Sequence, residues 1–233
     1  MKEKAEIESF YDKFSDTQKK IAYNERHFHM LDRLLNLGLQ KDSNVLELGC
    51  GIGVISSLVC KVLKTGVLVA TDISPKNIEI AKKRNANRNA QFFVGDAVKF
   101  ERKEITYDFI TLFDVLEHIH VDSHNELFSN VVSHMSEETK LVVNIPNPEY
   151  LRHLHNSSPE SLQIIDQPLP LIEILKATEL NDLNLKFFET YDLWKKDESQ
   201  FMLFEKRTEF TVHETIPPKQ NFFRRVQNKL ERY

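Results

Sequence analysis

Between residues 45 and 53 the chain reads VLELGCGIG, so three of its six glycines fall within five positions. A strand that runs straight into glycines and then into a helix brings bare backbone N–H groups and a helix N-terminus up to a ligand. In a chain this poor in glycine, a tight turn with no ligand is the weaker reading of such a cluster. All six glycines (Gly38, Gly49, Gly51, Gly53, Gly66, Gly95) precede residue 96, whereas seven of the eight prolines lie beyond residue 140. That skew predicts alternating units with tight turns in front and irregular connections behind.

Short runs rich in β-branched and aromatic residues recur from residue 44 onward: Asn44 to Leu48, Gly66 to Ala70, Gln91 to Val94, Tyr107 to Phe113 and Leu141 to Ile145. Their nearly unbroken apolar character fits strands buried on both faces. Helical spacing appears between them, in Val54 to Leu63 and Asn125 to Met135, and Ser74-Pro75 supplies an N-cap with proline at the first helical position. Strand and helix alternating in this way predict a doubly wound α/β fold with a mostly parallel sheet. Residues 3 to 37 read as mostly helical, forming an N-terminal cap over residues 1–40. Leu169 to Leu180 reads as a helix, and Lys186 to Asp192 with Gln200 to Lys206 read as two late strands able to pair antiparallel.

Acidic residues follow successive strands: Asp72 after GVLVAT, Asp96 after FFVG and Asp114 after FITLF, with Glu47 two residues before Gly49. The carboxyl ends of strands form the ligand crevice of an open α/β sheet, so these four acids are expected along one edge. A carboxylate after the second strand takes the hydroxyls of a ribose, and one after the third accepts from an adenine amino group. Such a row repels a pyrophosphate and welcomes a cationic cofactor. The dinucleotide pattern G-x-G-x-x-G also wants a small residue at position 54, where the chain has Val54. An NAD-dependent oxidoreductase is therefore the disfavoured enzyme alternative.

At these residues the sequence resembles the class I S-adenosylmethionine-dependent methyltransferases. The resemblance rests on LELGCGIG with Asp72, on the triplet Gly95-Asp96-Ala97 and on the run FDVLEHI from Phe113 to Ile119, and it covers about residues 40 to 146. It implies a Rossmann-like methyltransferase fold whose last strand inserts antiparallel. It implies S-adenosylmethionine as cofactor, with Gly49, Gly51 and Gly53 giving close backbone approach to the methionine end, Asp72 on the ribose and Asp96 with Ala97 at the adenine. Ile73 and Phe113 are expected to wall the adenine or the sulfonium, with Glu47 and Asp114 beside them. The fold domain is expected over 41–207, with a substrate segment at 146–170. Methyl transfer goes to an oxygen or nitrogen of a small or glycan-type acceptor, an envelope sugar being favoured; a binding module without turnover is the non-enzyme alternative.

His118 follows the fourth strand beside the transfer site, where it either acts as general base for a hydroxyl acceptor or holds a loop by hydrogen bonding. His153, His155 and Asp166 fall in the substrate segment, and His27 and His29 in the N-terminal cap, where packing is the default role. No H-x-E or C-x-x-C spacing marks a metal site. The two cysteines, Cys50 and Cys60, lie in an apolar stretch and read as reduced cytosolic thiols. With 233 residues, 28% charged and 41% hydrophobic, the composition is that of a globular domain large enough to need no staples. No secretory leader or spanning run is read, and a net charge of −4 argues against broad nucleic-acid binding, so a cytoplasmic enzyme is expected. Residues 208–233 read as a linker and a basic amphipathic tail with Phe222, Phe223, Val226, Leu230 and Tyr233 on one face. Two fates stand open for it: peripheral contact with the inner face of a membrane, or docking on its own domain or on a second subunit of a homodimer.

Overall fold

A computed structural model of the chain describes residues 6–12, 23–86 and 88–209. Its helices are α1 (residues 6–12), α2 (Glu25–Asn36), α3 (Val54–Val62), α4 (Pro75–Arg84), α5 (His124–Ser133), α6 (Pro148–Ser157) and α7 (Leu171–Glu179). Its strands are β1 (Val45–Leu48), β2 (Leu68–Asp72), β3 (Ala90–Val94), β4 (Tyr107–Phe113), β5 (Met135–Pro146), β6 (Leu183–Tyr191) and β7 (Ser199–Lys206). They form one seven-stranded sheet in the order β3-β2-β1-β4-β5-β7-β6. Strands β1 to β5 are parallel, and β7 runs antiparallel to both of its neighbours. The doubly wound α/β reading and the antiparallel late strand are both observed.

Burial explains the strand composition. All residues of β1 and β2 are buried, as continuous apolar runs covered on both faces require. One layer sets Met30 and Leu34 of α2, Leu58 of α3 and Ile78 of α4 against the sheet; the other brings Leu127 and Phe128 of α5 and Ile174 of α7. Strand β7 feeds both layers by alternation, with Met202 and Phe204 on the α5–α7 side and Phe201 and Leu203 on the other. Helix α4 starts where Ser74-Pro75 predicts, with the Ser74 hydroxyl accepting from the Asn77 N–H at 3.0 Å.

Two boundaries differ from the sequence reading. Helix α5 stops at Ser133, and Met135 opens a twelve-residue β5 by pairing with Tyr107, well before the apolar run at residue 141. Met135 is buried on either assignment, so apolar period alone does not separate a helix end from a strand start there. The segment expected to be irregular after residue 146 contains α6, where Asn147 accepts from the Glu149 N–H at 2.9 Å and Pro148 takes the first turn. Within the N-terminal cap, residues 1–5 and 13–22 lie outside the described residues, as does the tail from residue 210. Among the described residues no helix is long and apolar enough to cross a membrane.

The order of the sheet decides where a ligand goes. From β1 the chain winds outward through β2 to β3, then returns to β4 on the other side of β1 and winds the opposite way. The crevice at that reversal opens beyond the carboxyl ends of β1 and β4. Phe128, fully buried between α5 and the sheet, tests the layer that supports β4 and β5. Phe128→Ala is expected to lower stability by about 3–5 kcal/mol, read as a fall in the urea midpoint at unchanged slope.

Candidate active site

At the end of β1 the chain turns back under its neighbour. The Gly49 and Cys50 N–H groups both donate to the Thr71 carbonyl, at 2.8 and 2.9 Å, which ties the turn to the end of β2. Each glycine answers a different constraint. A Cβ on Gly49 would lie 2.3 Å from Val115 Cγ2, and one on Gly53 would lie 2.9 Å from the Ala81 Cβ of α4, so both positions are set by close packing. Gly51 has φ +52 and nothing within 4 Å of where a Cβ would stand. Its bare face opens on a cavity of about 570 Å³.

Asp72 is the keystone of this turn. Its Oδ2 accepts from the Gly51 N–H at 2.8 Å, and its Oδ1 accepts from the Ser74 N–H at 2.9 Å and from Asn77 Nδ2 at 3.0 Å. Burial pushes the Asp72 carboxyl above the usual carboxylate range, against those three donors. Asp96 lines the same cavity, its Oδ1 accepting from the Val98 N–H at 3.1 Å.

Nine of the eleven sequence-predicted site residues line this one cavity: Gly49, Gly51, Asp72, Ile73, Asp96, Ala97, Phe113, Asp114 and His118. Glu47 and Gly53 do not. Glu47 points from the middle of β1 toward α3, is 3% exposed, and accepts from the Ser56 hydroxyl at 2.6 Å, behind the turn and away from the cavity. Burial raises its pKa to about 8. Asp114 reaches the cavity, but its carboxylate is engaged elsewhere: Arg26 of α2 donates to it twice, through Nε at 2.8 Å and through Nη2, and Asn144 Nδ2 donates at 3.2 Å. Burial works against the Arg26 charge, and the facing Asp114 outweighs it, so the guanidinium stays charged. Asp114 has φ +56, a backbone position held by its own N–H donating to the Asn144 carbonyl at 2.8 Å.

His118 is likewise committed. Its Nδ1 lies 2.5 Å from the Ile165 carbonyl and 3.0 Å from Asp166 Oδ1, and its Nε2 is 3.8 Å from Glu117 Oε1. Burial alone would lower its pKa, but Glu117 and Asp166 overcome that and hold the ring protonated. Burial raises the carboxyl of the adjoining Glu117. With Nδ1 engaged and the ring held charged, the geometry weighs against the first of its two expected roles, general base, and favours the second, holding a loop. Its contacts anchor the 162–167 stretch to the turn after β4.

The roof of the cavity comes from residues that carried no local signal. Ile7 and Tyr11 of α1 line it, together with His27 of α2, His120 after β4, and Gln163 and Ile165 of the substrate segment. Asp12 docks α1 on the start of α4, accepting from the Ser74 hydroxyl and from the Lys76 N–H at 3.3 Å, where a helix N-terminus favours a carboxylate. His27 serves as a cap, its Nδ1 accepting from the Asn24 N–H at 3.2 Å, and burial lowers its pKa. Both cysteines are free and buried, and burial raises their thiols.

Comparison with known proteins places this geometry in context. A family model described as a methyltransferase domain matches residues 21–187. A curated malonyl-[acyl-carrier protein] O-methyltransferase of Halalkalibacterium halodurans is 27% identical over 176 residues, 72% of this chain and 63% of that protein. A small RNA 2′-O-methyltransferase of Arabidopsis thaliana is 26% identical over 129 residues, 51% of this chain and 14% of that protein. The chain thus spans less than two thirds of the length of these curated relatives. Among solved structures, magnesium protoporphyrin IX methyltransferase from Synechocystis PCC 6803 with bound SAH shares the fold at TM-score 0.67 and 17% identity, covering 87% of this chain and 99% of that one.

The protonated Glu47 behind the turn makes a pH prediction with a definite sign. Its folded pKa of about 8 lies above the ordinary glutamate value of 4.5, so the folded state binds the extra proton and stability falls as pH rises through that window. Glu47→Gln, which keeps an acceptor for Ser56 without the ionisation, is expected to match wild type near pH 5 and to exceed it by a few kcal/mol near pH 8. Denaturant midpoints for both proteins across that range check it; parallel profiles would contradict it.

Proposed function

Because the chain belongs to the methyltransferase-domain family of class I S-adenosylmethionine-dependent enzymes, we propose that its cavity holds S-adenosylmethionine and directs methyl transfer to an oxygen or nitrogen of a small acceptor. The observation that carries this reading is the conjunction of the open face of Gly51 with the carboxylates of Asp72 and Asp96 on one cavity wall. The donor set fits the cofactor. Asp72 is placed to accept from ribose hydroxyls, Ile73, Ala97 and Val98 offer an apolar slot for a purine, and the acidic wall suits a sulfonium. When bound, the cofactor supplies a methyl group already made electrophilic by the positive sulfur.

The chain's own residues have two further tasks, alignment and exclusion of water. Ile7 and Tyr11 close the cavity from above, and His118 fixes Ile165 and Asp166 at its side. Arg26 neutralises Asp114, so that this acid shapes the floor without adding a bare charge.

NAD fits less well. A pyrophosphate needs free N–H donors at the glycine turn, and the Gly51 N–H is already given to Asp72. As to the acceptor, the printed names of the relatives span an acyl-carrier protein and a small RNA, so the matched region supports the cofactor half of the reaction more than any acceptor. Neither name is a sugar, and the glycan acceptor expected from the sequence draws no support from them. A small acceptor is the reading favoured by a cavity of about 570 Å³ roofed by α1.

Calorimetric titration is expected to show binding of S-adenosylmethionine and none of NAD, and radiolabelled methyl transfer to separate an enzyme from a binding module. Asp72→Ala is expected to weaken the cofactor at least about tenfold, because charge-assisted bonds are worth about 1.5–3 kcal/mol each. Circular dichroism of the variant is the check that the loss is one of binding and not of fold. Equal affinity in the variant would remove Asp72 from the site.

A further inference from the structure

Three polar atoms on residues that line the cavity find no protein partner: Oδ1 of Asn77, whose Nδ2 is given to Asp72, and two more, the Tyr11 hydroxyl of α1 and Nε2 of His120, beyond the end of β4. Each is fully buried, and a buried polar group left without a partner costs about 1–3 kcal/mol. Three such atoms on residues that line one ligand cavity point to groups that a ligand satisfies. Tyr11 and His120 both fall beside His118. The Tyr11 ring stands 6.1 Å from that of His118, edge to face, and His120 follows two residues later on the same stretch of chain. Gln163 and Ile165, from the segment after β5, complete that side.

The charges around it favour one acceptor chemistry. Among the described residues that line the cavity there is no lysine or arginine, while Asp72 and Asp96 are both present and Asp114 is matched by Arg26 of α2. Among the described residues, the cation beside Tyr11 is His118, and it is matched by Asp166 and Glu117. A carboxylate acceptor would enter a field of its own sign, whereas a neutral alcohol, phenol or amine would not. Burial and the nearby Asp166, Glu117 and Asp72 push the Tyr11 phenol up, so it keeps its proton and remains a donor.

Resting on the methyltransferase reading, we infer that Tyr11 and His120 form the acceptor subsite, and that it takes a neutral acceptor bearing O–H or N–H, with His120 as the base. The acceptor's heteroatom forms the new bond to the methyl carbon. The carbon–sulfur electron pair leaves with sulfur as the neutral thioether, and the acceptor's proton passes to Nε2 of His120. The imidazolium returns it to water after product release. Tyr11 donates to a second polar atom of the acceptor and so sets its orientation. His120 thereby takes the role that the contacts of His118 with Ile165 and Asp166 weigh against.

The test uses the full chain, S-adenosylhomocysteine as binding probe, and radiolabelled S-adenosylmethionine with three acceptor sets: alcohols and phenols, amines, and malonyl-coenzyme A as the carboxylate. Label is expected on a neutral set in preference to malonyl-coenzyme A. His120→Gln is expected to lose transfer by about a hundredfold or more, as removal of a base does, with S-adenosylhomocysteine affinity within about twofold of wild type. Tyr11→Phe is expected to lose about tenfold through KM, as loss of one buried hydrogen bond does. Added imidazole is expected to restore part of the rate in His120→Ala. Label on malonyl-coenzyme A alone or on no neutral acceptor, an undiminished rate in His120→Gln, or a collapse of S-adenosylhomocysteine affinity in that variant each overturns the inference. A wild-type chain that fails to bind S-adenosylhomocysteine overturns the cofactor reading beneath it.

Discussion

One carboxylate joins the parts of this protein that do chemistry. Asp72 ends β2, holds the N–H of Gly51 in the turn after β1, and holds the Ser74 N–H and the Asn77 side chain at the start of α4. Two strand ends and a helix N-terminus are thereby locked to a single side chain. The lock is expensive, because Asp72 is only 8% exposed and its ionised form is disfavoured there. Three donors offset that desolvation, and the resulting turn presents the open face of Gly51 to the cavity. The same carboxylate that builds the turn is the one proposed to take the ribose, so on that proposal architecture and recognition share one group.

A second polar network closes the cavity from the opposite side. Arg26 binds Asp114 and donates to the Ser199 hydroxyl at 3.0 Å, Asn144 donates to Asp114, and the Tyr191 hydroxyl donates to Asn144 Oδ1 at 2.6 Å. These residues come from α2, the end of β4, β5, β6 and β7. Because every member is satisfied, the network specifies how the N-terminal helix sits on the sheet edge rather than merely allowing it to sit there. Paired with Arg26, Asp114 adds no uncompensated charge to the cavity wall.

The two histidines after β4 show how context divides roles between like residues. His118 and His120 are two positions apart, and both line the cavity. One has its Nδ1 held by a carbonyl and a carboxylate, while the other has a buried nitrogen with no protein partner. Such a difference is invisible to residue type and spacing, because it depends on where Ile165 and Asp166 return to the sheet from more than forty positions along the chain.

Local chemistry accounts for what was legible in the sequence. Continuous apolar runs betray strands buried on both faces, Ser74-Pro75 marks a helix start, and acids at strand ends fall on the crevice because parallel strands all end on the same edge. Nine site residues were readable for that reason: each sits on or just beyond a strand whose ends the topology aligns. Glu47 misled because strand residues alternate between faces, and its place in β1 turns it to α3 rather than to the cavity. The roof was beyond reach. Tyr11, His27 and Gln163 belong to segments far apart in the chain, and nothing in their own neighbourhoods marks them. Only the packing of α1 on α4, of α2 on Asp114 and of the 162–167 stretch on His118 brings them to one cavity. Their meeting is a property of long-range contacts, whereas a strand end or a helix cap is written within a few residues.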